Sequence, residues 1–270
     1  MKLKNIMRLV LPLVAGAMMA TSCHGDLDIM QDNRLSASNM WQDATDVTQS
    51  TYGIYERMRS CFVNTTCNVF YWGEVRVGTY MWGSSIVNLA HDNDMIGVES
   101  STMNGANAST NWSALYTTID QANAVLKYAP LVNMTEKERG YAIGQASFAR
   151  AYCYFWAARL WGDVPLNLVP IESVSQPECY PERAPKADVY AQIGKDIETA
   201  LENGAYLGTD CYFATKTAVN LLKAEYALWM YTNQKGGDSY LTLAQDALDA
   251  LDLTSGALLD DYGKVFINAN

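Results

Sequence analysis

The sequence has only two histidines and seven prolines among its 270 residues, and its basic side chains are fewer than its acidic ones. Two histidines leave little room for a histidine-based zinc site or for Ser–His–Asp catalysis. The balance of 19 Lys+Arg against 29 Asp+Glu gives a net charge of −10. This charge argues against a nucleic-acid-binding protein, because such proteins use basic side chains to neutralise phosphates. The low proline content also argues against a rigid proline-rich linker.

Motifs of the common catalytic and metal sites are missing as well. The sequence contains no phosphate-binding glycine loop, no Gly-x-Ser-x-Gly and no His-Glu-x-x-His. Asp92-Asn93-Asp94 begins like a calcium loop, but Ile96 and Met103 stand where an EF-hand needs an oxygen ligand and a closing glutamate. We therefore expect no catalytic residues, no metal site and no cofactor.

The N-terminus has the pattern of a targeting segment. Lys2, Lys4 and Arg8 precede a mostly apolar run over 9–20, which is too short to span a bilayer and is typical of a signal peptide. Small residues then precede Cys23, an arrangement that resembles a bacterial lipobox, in which the cysteine thiol receives a diacylglycerol. Ordinary signal cleavage that leaves Cys23 unmodified is the alternative.

These observations predict a signal peptide over 1–22 and a lipidated N-terminus with a polar tether over 23–35. An acidic body is not attracted to an anionic membrane by its own charge, so the lipid anchor alone would hold it there. No later segment reaches 18 apolar residues, which excludes a transmembrane helix from the sequence pattern. Five cysteines remain beside Cys23. Cys61 and Cys67 are near enough in sequence to form a disulfide, and that pairing stays open.

The rest of the chain is dominated by helical periodicity. Apolar residues recur at three- and four-residue steps in six segments: 41–58, 111–129, 135–161, 185–201, 217–231 and 240–251. The first segment is expected to bury the face that carries Trp41, Tyr52 and Tyr55. Thr135 and Glu138 predict a capping box at the start of the third segment.

The fold class predicted from these segments is all-α. Helix, short turn and helix over roughly 34 residues resemble a tetratricopeptide repeat, and Thr217–Leu251 is the best copy. The chain is thus expected to form a tetratricopeptide-like stack of helical repeats. Between Thr66 and Ser109 no helical period is sustained and glycines are frequent, which predicts a long loop insertion. The aromatic residues in this insertion argue against disorder.

One part of the third helix resembles a known family. The run Phe148–Trp156 and the following Leu160–Leu166, which contains Gly-Asp-Val-Pro-Leu, are similar to the hallmark of SusD/RagB-type lipoproteins. The family's neighbouring helix motifs match as well, at Trp112, Tyr116, Ile119, Asn123, Asp188, Val189, Tyr190, Asp196 and Ala200.

The resemblance implies a nutrient-binding lipoprotein on the cell surface, anchored in the outer membrane. Family members bind glycans or, in some cases, peptides, work with a TonB-dependent (SusC-like) transporter and have no catalytic activity. Family members are usually longer than this chain. Residues 36–270 are therefore expected to be a SusD-like N-terminal helical domain without the C-terminal half, either as a fragment or as a truncated gene product.

The candidate ligand site lies in the glycine-rich insertion. Tyr80 and Trp82 are expected to stack on sugar rings, since such side chains combine an apolar face with a polar rim. Asn88, Asp92, Asn93 and Asp94 are expected to bind sugar hydroxyls. A scaffold of repeat helices that holds another protein, with the insertion as its interface, is the alternative function.

The residues of the family motif are assigned a structural role. This set comprises Arg150, Tyr154, Phe155, Gly162, Asp163 and Pro165. Arg150 lies on a largely apolar helix and needs a partner there. Asp163 follows Gly162 and is suited to accept backbone N–H groups in the turn.

Overall fold

The computed structural model describes residues 40–63, 68–78, 96–98, 100–105 and 107–251. The predicted signal peptide over 1–22, the tether over 23–35 and Cys67 lie outside these residues, so the lipidation of Cys23 and the Cys61–Cys67 disulfide stay predictions.

Each of the six segments with helical periodicity contains a long helix. The helices are α1 (Ala44–Phe62), α2 (Ser113–Tyr128), α3 (Glu136–Trp161), α4 (Lys186–Glu202), α5 (Lys216–Gln234) and α6 (Ser239–Asp249). Two short strands, β1 (Val164–Pro165) and β2 (Arg183–Ala184), pair antiparallel between α3 and α4. The prediction of an all-α fold is confirmed. In the described part of the chain, no helix combines the length and the apolar character needed to cross a membrane.

Helix α3 begins and ends at recognisable signals. Thr135 accepts a hydrogen bond from the Glu138 backbone N–H, and the Glu138 carboxylate accepts one from the Thr135 N–H in return. Such a box satisfies two backbone donors that a helix start leaves free. At the other end Gly162 adopts a φ of +73°, a conformation that favours glycine. The chain then leaves the helix and enters β1.

The helices pack as a stack in chain order, in which each contacts the next. Helix α3 lies at the centre and also contacts α1, so it is buried on most of its faces. Gly140 shows how close its neighbours come: a Cβ there would lie 2.1 Å from the Tyr206 ring. The main core joins α2, α3, α4, α5 and the end of α1, and a second cluster joins α1 to α2 and the first half of α3.

The buried face of α1 differs from the predicted one. The structure buries Val47 and Ile54 completely, while Tyr52 is 44% exposed and Tyr55 is partly exposed. The helix carries two neighbouring apolar stripes, and contact with α2 and α3 selects the one that contains Val47 and Ile54. The predicted stripe thus lies at the edge of the buried face: Trp41, Tyr55 and Met58 pack against the core, whereas Tyr52 is exposed.

Part of the predicted loop insertion is helical. Asn68–Phe70 forms a short helical turn, which continues into a π-helical turn over Tyr71–Val75. Trp72 is buried, and its indole N–H donates to the Ser109 carbonyl at 2.7 Å. The expectation of a loop from Thr66 is thus wrong for residues 68–75, where a tertiary contact accompanies helical turns in a segment that has no helical period of its own.

Candidate functional site

The candidate ligand residues of the glycine-rich insertion lie outside the described residues. These are Tyr80, Trp82, Asn88, Asp92, Asn93 and Asp94. Their assignment stays a prediction.

The described residues on both sides of these candidates converge on the end of α3. The Trp72 ring meets the Trp161 ring edge-on at 5.5 Å between centroids. Trp161 also contacts Trp112, which directly precedes α2, at 5.8 Å. Val98 and Met103 pack with Tyr71 and Val75 in a small cluster of their own. Aromatic contacts with Trp161 therefore join the segment before the candidates and the start of α2 to the end of α3.

Arg150 is the centre of a buried polar network. Its guanidinium donates to both carboxylate oxygens of Asp196 on α4, at 2.8 and 2.6 Å. It also donates to the Asn123 side-chain oxygen on α2 at 2.8 Å. All three residues are at most 8% exposed. One side chain of α3 is thereby bonded to both neighbouring helices in the core, where charges and polar groups need such partners.

The same network holds the segment that follows α3. The Asn123 amide donates to the carbonyls of Asn167 and Val169 at 3.0 and 3.2 Å. The Tyr154 hydroxyl donates to the Asn167 carbonyl and accepts from its N–H, both at 2.7 Å. Burial raises the pKa of this hydroxyl, so it stays protonated. These side chains supply the hydrogen bonds that a loop backbone lacks.

The Gly-Asp-Val-Pro segment is bonded to the start of α4. Asp163 accepts the Lys186 backbone N–H at 2.8 Å, and its own carbonyl accepts from Arg183 at 2.6 Å. The Pro165 carbonyl accepts from the Tyr116 hydroxyl at 2.6 Å. Phe155 is fully buried beneath the guanidinium of Arg159 at 4.0 Å. Arg150, Tyr154, Asp163 and Pro165 thus join α3 and the turn after it to the neighbouring helices.

A groove lined by aromatic residues lies between α1, α3 and the segment before α5. Its volume is about 720 Å³, within the range of about 300–1,000 Å³ typical of ligand sites. We call it the aromatic groove, and its ring-bearing lining residues are Tyr52, Tyr55, Phe62, Phe148, Tyr152, Tyr212 and Phe213. The Tyr212 side chain is 81% exposed and Tyr52 is 44% exposed, so these two offer ring surface to solvent.

The rings of the groove support one another. Phe148 and Tyr152 stack at 5.9 Å with an angle of 16° between their planes. The Phe213 ring lies 5.2 Å from Tyr52 and 5.0 Å from Tyr55. Such contacts fix ring orientation and add to the stability gained by burial.

Hydrogen bonds fix the segment before α5 against the helices. The Ala214 N–H donates to the Tyr55 hydroxyl at 2.9 Å and to the Gln145 side-chain oxygen at 3.0 Å. The Gln145 amide donates in return to the Ala214 carbonyl at 2.9 Å. The Tyr55 hydroxyl also donates to Gln145, and burial raises the Tyr55 pKa. We call this arrangement the Ala214 clamp.

A charged pair completes the aromatic groove. Arg59 donates to both carboxylate oxygens of Glu56 at 2.9 and 3.1 Å, and both side chains are largely exposed. The hydrogen bond from Arg59 lowers the pKa of the Glu56 carboxyl, which is therefore ionised at neutral pH. A second cavity of about 470 Å³ shares Tyr52 with the groove and is lined by Tyr141 and Tyr206. The described residues contain no cluster of side chains suited to bind a metal ion.

The sequence reasoning missed the aromatic groove because it assigned Tyr52 and Tyr152 to helix cores. The spacing of Phe148 and Tyr152 by one helical turn is a local signal that both share a helix face. Phe213 comes from a segment that sequence periodicity does not relate to α1 or α3. Only the folded chain brings the three elements together.

Comparison with known proteins identifies the family. A SusD-like family model, described as "Starch-binding associating with outer membrane", matches residues 27–220. A curated SusD-like protein of Formosa agariphila is 26% identical over 235 residues, which cover 86% of this chain and 44% of that protein.

Solved structures show the same fold. NanU of B. fragilis is 26% identical with a TM-score of 0.70, over 88% of this chain and 48% of NanU. A laminarin binding SusD-like protein is 22% identical with a TM-score of 0.64, over 83% and 48% of the two chains, which is a likeness of fold alone. The chain spans less than half the length of these relatives. The match over 27–220 and the shared helical fold show that this chain belongs to the SusD-like family.

Proposed function

We propose that this chain binds a glycan at the bacterial cell surface and supplies it to a TonB-dependent, SusC-like transporter in the outer membrane. The observation that carries the proposal is the family match over 27–220, whose description names starch binding and association with the outer membrane. The laminarin-binding name of a relative with the same fold agrees with a glycan ligand. The protein binds its ligand without chemical change.

Lipidation of Cys23 holds the protein on the membrane in this proposal. The pattern before Cys23 supports it, as does the acidic character of the chain, which gives no attraction to anionic lipids. The anchor leaves the helical domain free to contact the transporter.

The ligand contacts proposed for the insertion are stacking by Tyr80 and Trp82. Hydrogen bonds from sugar hydroxyls to carboxylates and amides would fix the orientation of the ligand, and the residues proposed for this are Asn88, Asp92, Asn93 and Asp94. The segment before these residues is held in place, because Trp72 contacts Trp161 at the end of α3, and this ordered segment supports a binding role.

Isothermal titration of the purified protein with maltohexaose and laminarihexaose tests the proposal. We expect at least one of the two to bind and Trp82→Ala and Tyr80→Ala to weaken that binding. Tyr180→Ala is the matched control, because Tyr180 is an 85% exposed tyrosine of another loop. Binding of neither sugar would contradict the glycan assignment. Co-purification with an outer-membrane transporter in the absence of any sugar binding would favour a scaffold instead.

A further inference from the structure

We propose that the aromatic groove is an oligosaccharide-binding subsite, in which Tyr212 and Tyr52 stack on sugar rings and the Glu56–Arg59 pair binds hydroxyls. This inference rests on the proposed function and extends it to residues of α1, α3 and the segment before α5. It assigns contacts that are independent of the residues of the glycine-rich insertion.

The exposed tyrosines of the lining fit the two kinds of surface that a sugar ring offers. A pyranose ring has an apolar C–H face and a rim of hydroxyls, and a tyrosine offers a flat apolar face with a polar tip. Tyr52 and Tyr212 expose such faces, whereas Phe148 and Phe62 form the apolar floor. The lining beside the rings is apolar as well and includes Met58, Val63 and Val69.

The charged pair supplies the directional contacts. The Glu56 carboxylate accepts hydrogen bonds and the Arg59 guanidinium donates them, so together they satisfy hydroxyls in either role. Both side chains are largely exposed, and an exposed ion pair contributes little to folding. Neither group is therefore needed to hold α1 together, and both are available to a ligand.

The backbone that carries Tyr212 is held in place before a ligand arrives. Tyr212 is followed by Phe213, which packs on Tyr52 and Tyr55, and by Ala214, which the Ala214 clamp bonds to α1 and α3. The Tyr212 N–H is also bonded to the Asp210 carboxylate at 3.0 Å. A platform ordered by its own backbone contacts loses little conformational freedom on binding, which favours affinity.

The shape of the site favours a chain of sugars over a monosaccharide. The aromatic groove of about 720 Å³ and the neighbouring cavity of about 470 Å³ both include Tyr52 in their lining. The second cavity adds the hydroxyls of Tyr141 and Tyr206. A ligand that passes Tyr52 thus meets aromatic side chains on both sides of it, and we expect hexasaccharides to bind more tightly than disaccharides.

Titration of Tyr212→Ala and Tyr52→Ala with maltohexaose and laminarihexaose tests the inference. We expect each variant to raise the Kd of the bound sugar by roughly tenfold, the effect of losing an aromatic anchor. The control Tyr180→Ala should leave Kd unchanged. The high exposure of Tyr212 means that its removal leaves the fold intact, which thermal unfolding of the variant verifies.

A second readout locates the bound sugar. Cys211 is exposed and adjacent to Tyr212, so a fluorophore attached to its thiol reports on the aromatic groove. At an oligosaccharide concentration near the wild-type Kd, we expect its emission to change clearly in the otherwise wild-type protein and much less in Tyr212→Ala. If the wild type binds sugar while both tyrosine variants keep the wild-type Kd, the inference is wrong and the proposed function stands. If the wild type binds neither sugar, the proposed function fails, and the inference fails with it.

Discussion

Replacement of Asp196 by alanine tests whether the buried Arg150 network stabilises the helix stack. The substitution removes both hydrogen bonds that the Arg150 guanidinium donates to the carboxylate, at 2.8 and 2.6 Å, and leaves a positive charge that is only 8% exposed. Breaking a buried ion pair by removing one partner costs about 3–5 kcal/mol. Because a domain is stable by about 5–15 kcal/mol in total, we expect Asp196→Ala to lose a large part of the free energy of unfolding.

The matched control is Glu225→Ala, which removes a second carboxylate from an arginine of α3. Arg159 and Glu225 are also 2.6 Å apart, but the Glu225 side chain is 53% exposed. Solvent and salt weaken such a pair, and we expect the loss to stay below about 1 kcal/mol. The two variants therefore compare a bidentate contact to a buried carboxylate with a single hydrogen bond to an exposed one.

Urea unfolding followed by circular dichroism measures both losses by linear extrapolation. The double variant Arg150→Met/Asp196→Leu adds a further check, because replacing both members of a buried pair by apolar residues is often close to neutral. We expect it to be more stable than Asp196→Ala. Equal losses for Asp196→Ala and Glu225→Ala would refute the reasoning from burial.

Three further predictions follow from single residues. Gly162→Val should lower the free energy of unfolding by about 1–3 kcal/mol, because a φ of +73° strains a β-branched residue. The control Gly105→Val, at an exposed position where a Cβ would meet no atom within 4 Å, should change it by less than about 0.5 kcal/mol. Equal melting temperatures of the two variants would contradict this prediction. A fatty-acid analogue should label the wild type in cells and not Cys23→Ala, and label that persists in the variant would exclude lipidation at this residue. Alkylation of the native protein at pH 8 should modify the exposed Cys211 and spare Cys153, whose buried thiol has a raised pKa and stays protonated at that pH; mass spectrometry that finds Cys153 modified at the same rate would contradict this.

The helical fold was predictable because its signals are local. The capping box of Thr135 and the glycine at 162 mark the two ends of α3, and a 3.6-residue period marks the helices. The buried face of α1 was not predictable, since the stripe with Val47 and the stripe with Tyr52 have similar apolar character. Packing against α2 and α3 decides between them.

Tertiary partners explain the other differences. The sequence indicates that Arg150 needs a partner, but the choice of Asp196 among 29 acidic residues depends on the packing of α3 against α4. Trp72 is buried among rings of α1 and α3 and donates to the Ser109 carbonyl 37 residues away, and neither contact leaves a periodic signal. The aromatic groove combines three segments for the same reason. The candidate ligand residues from Tyr80 to Asp94 rest on sequence alone.

The Ala214 clamp has a consequence for the order of folding. It joins residues that are 159 and 69 positions apart in the chain. Contacts between residues so far apart in sequence cost more conformational entropy when the intervening loop closes, and they form slowly. We infer that α1, α3 and the segment before α5 must dock before the amide of Ala214 is protected from solvent. Hydrogen exchange at this one amide, which belongs to a loop by secondary structure, should therefore occur mainly through opening of the whole helix stack and not through local fluctuation.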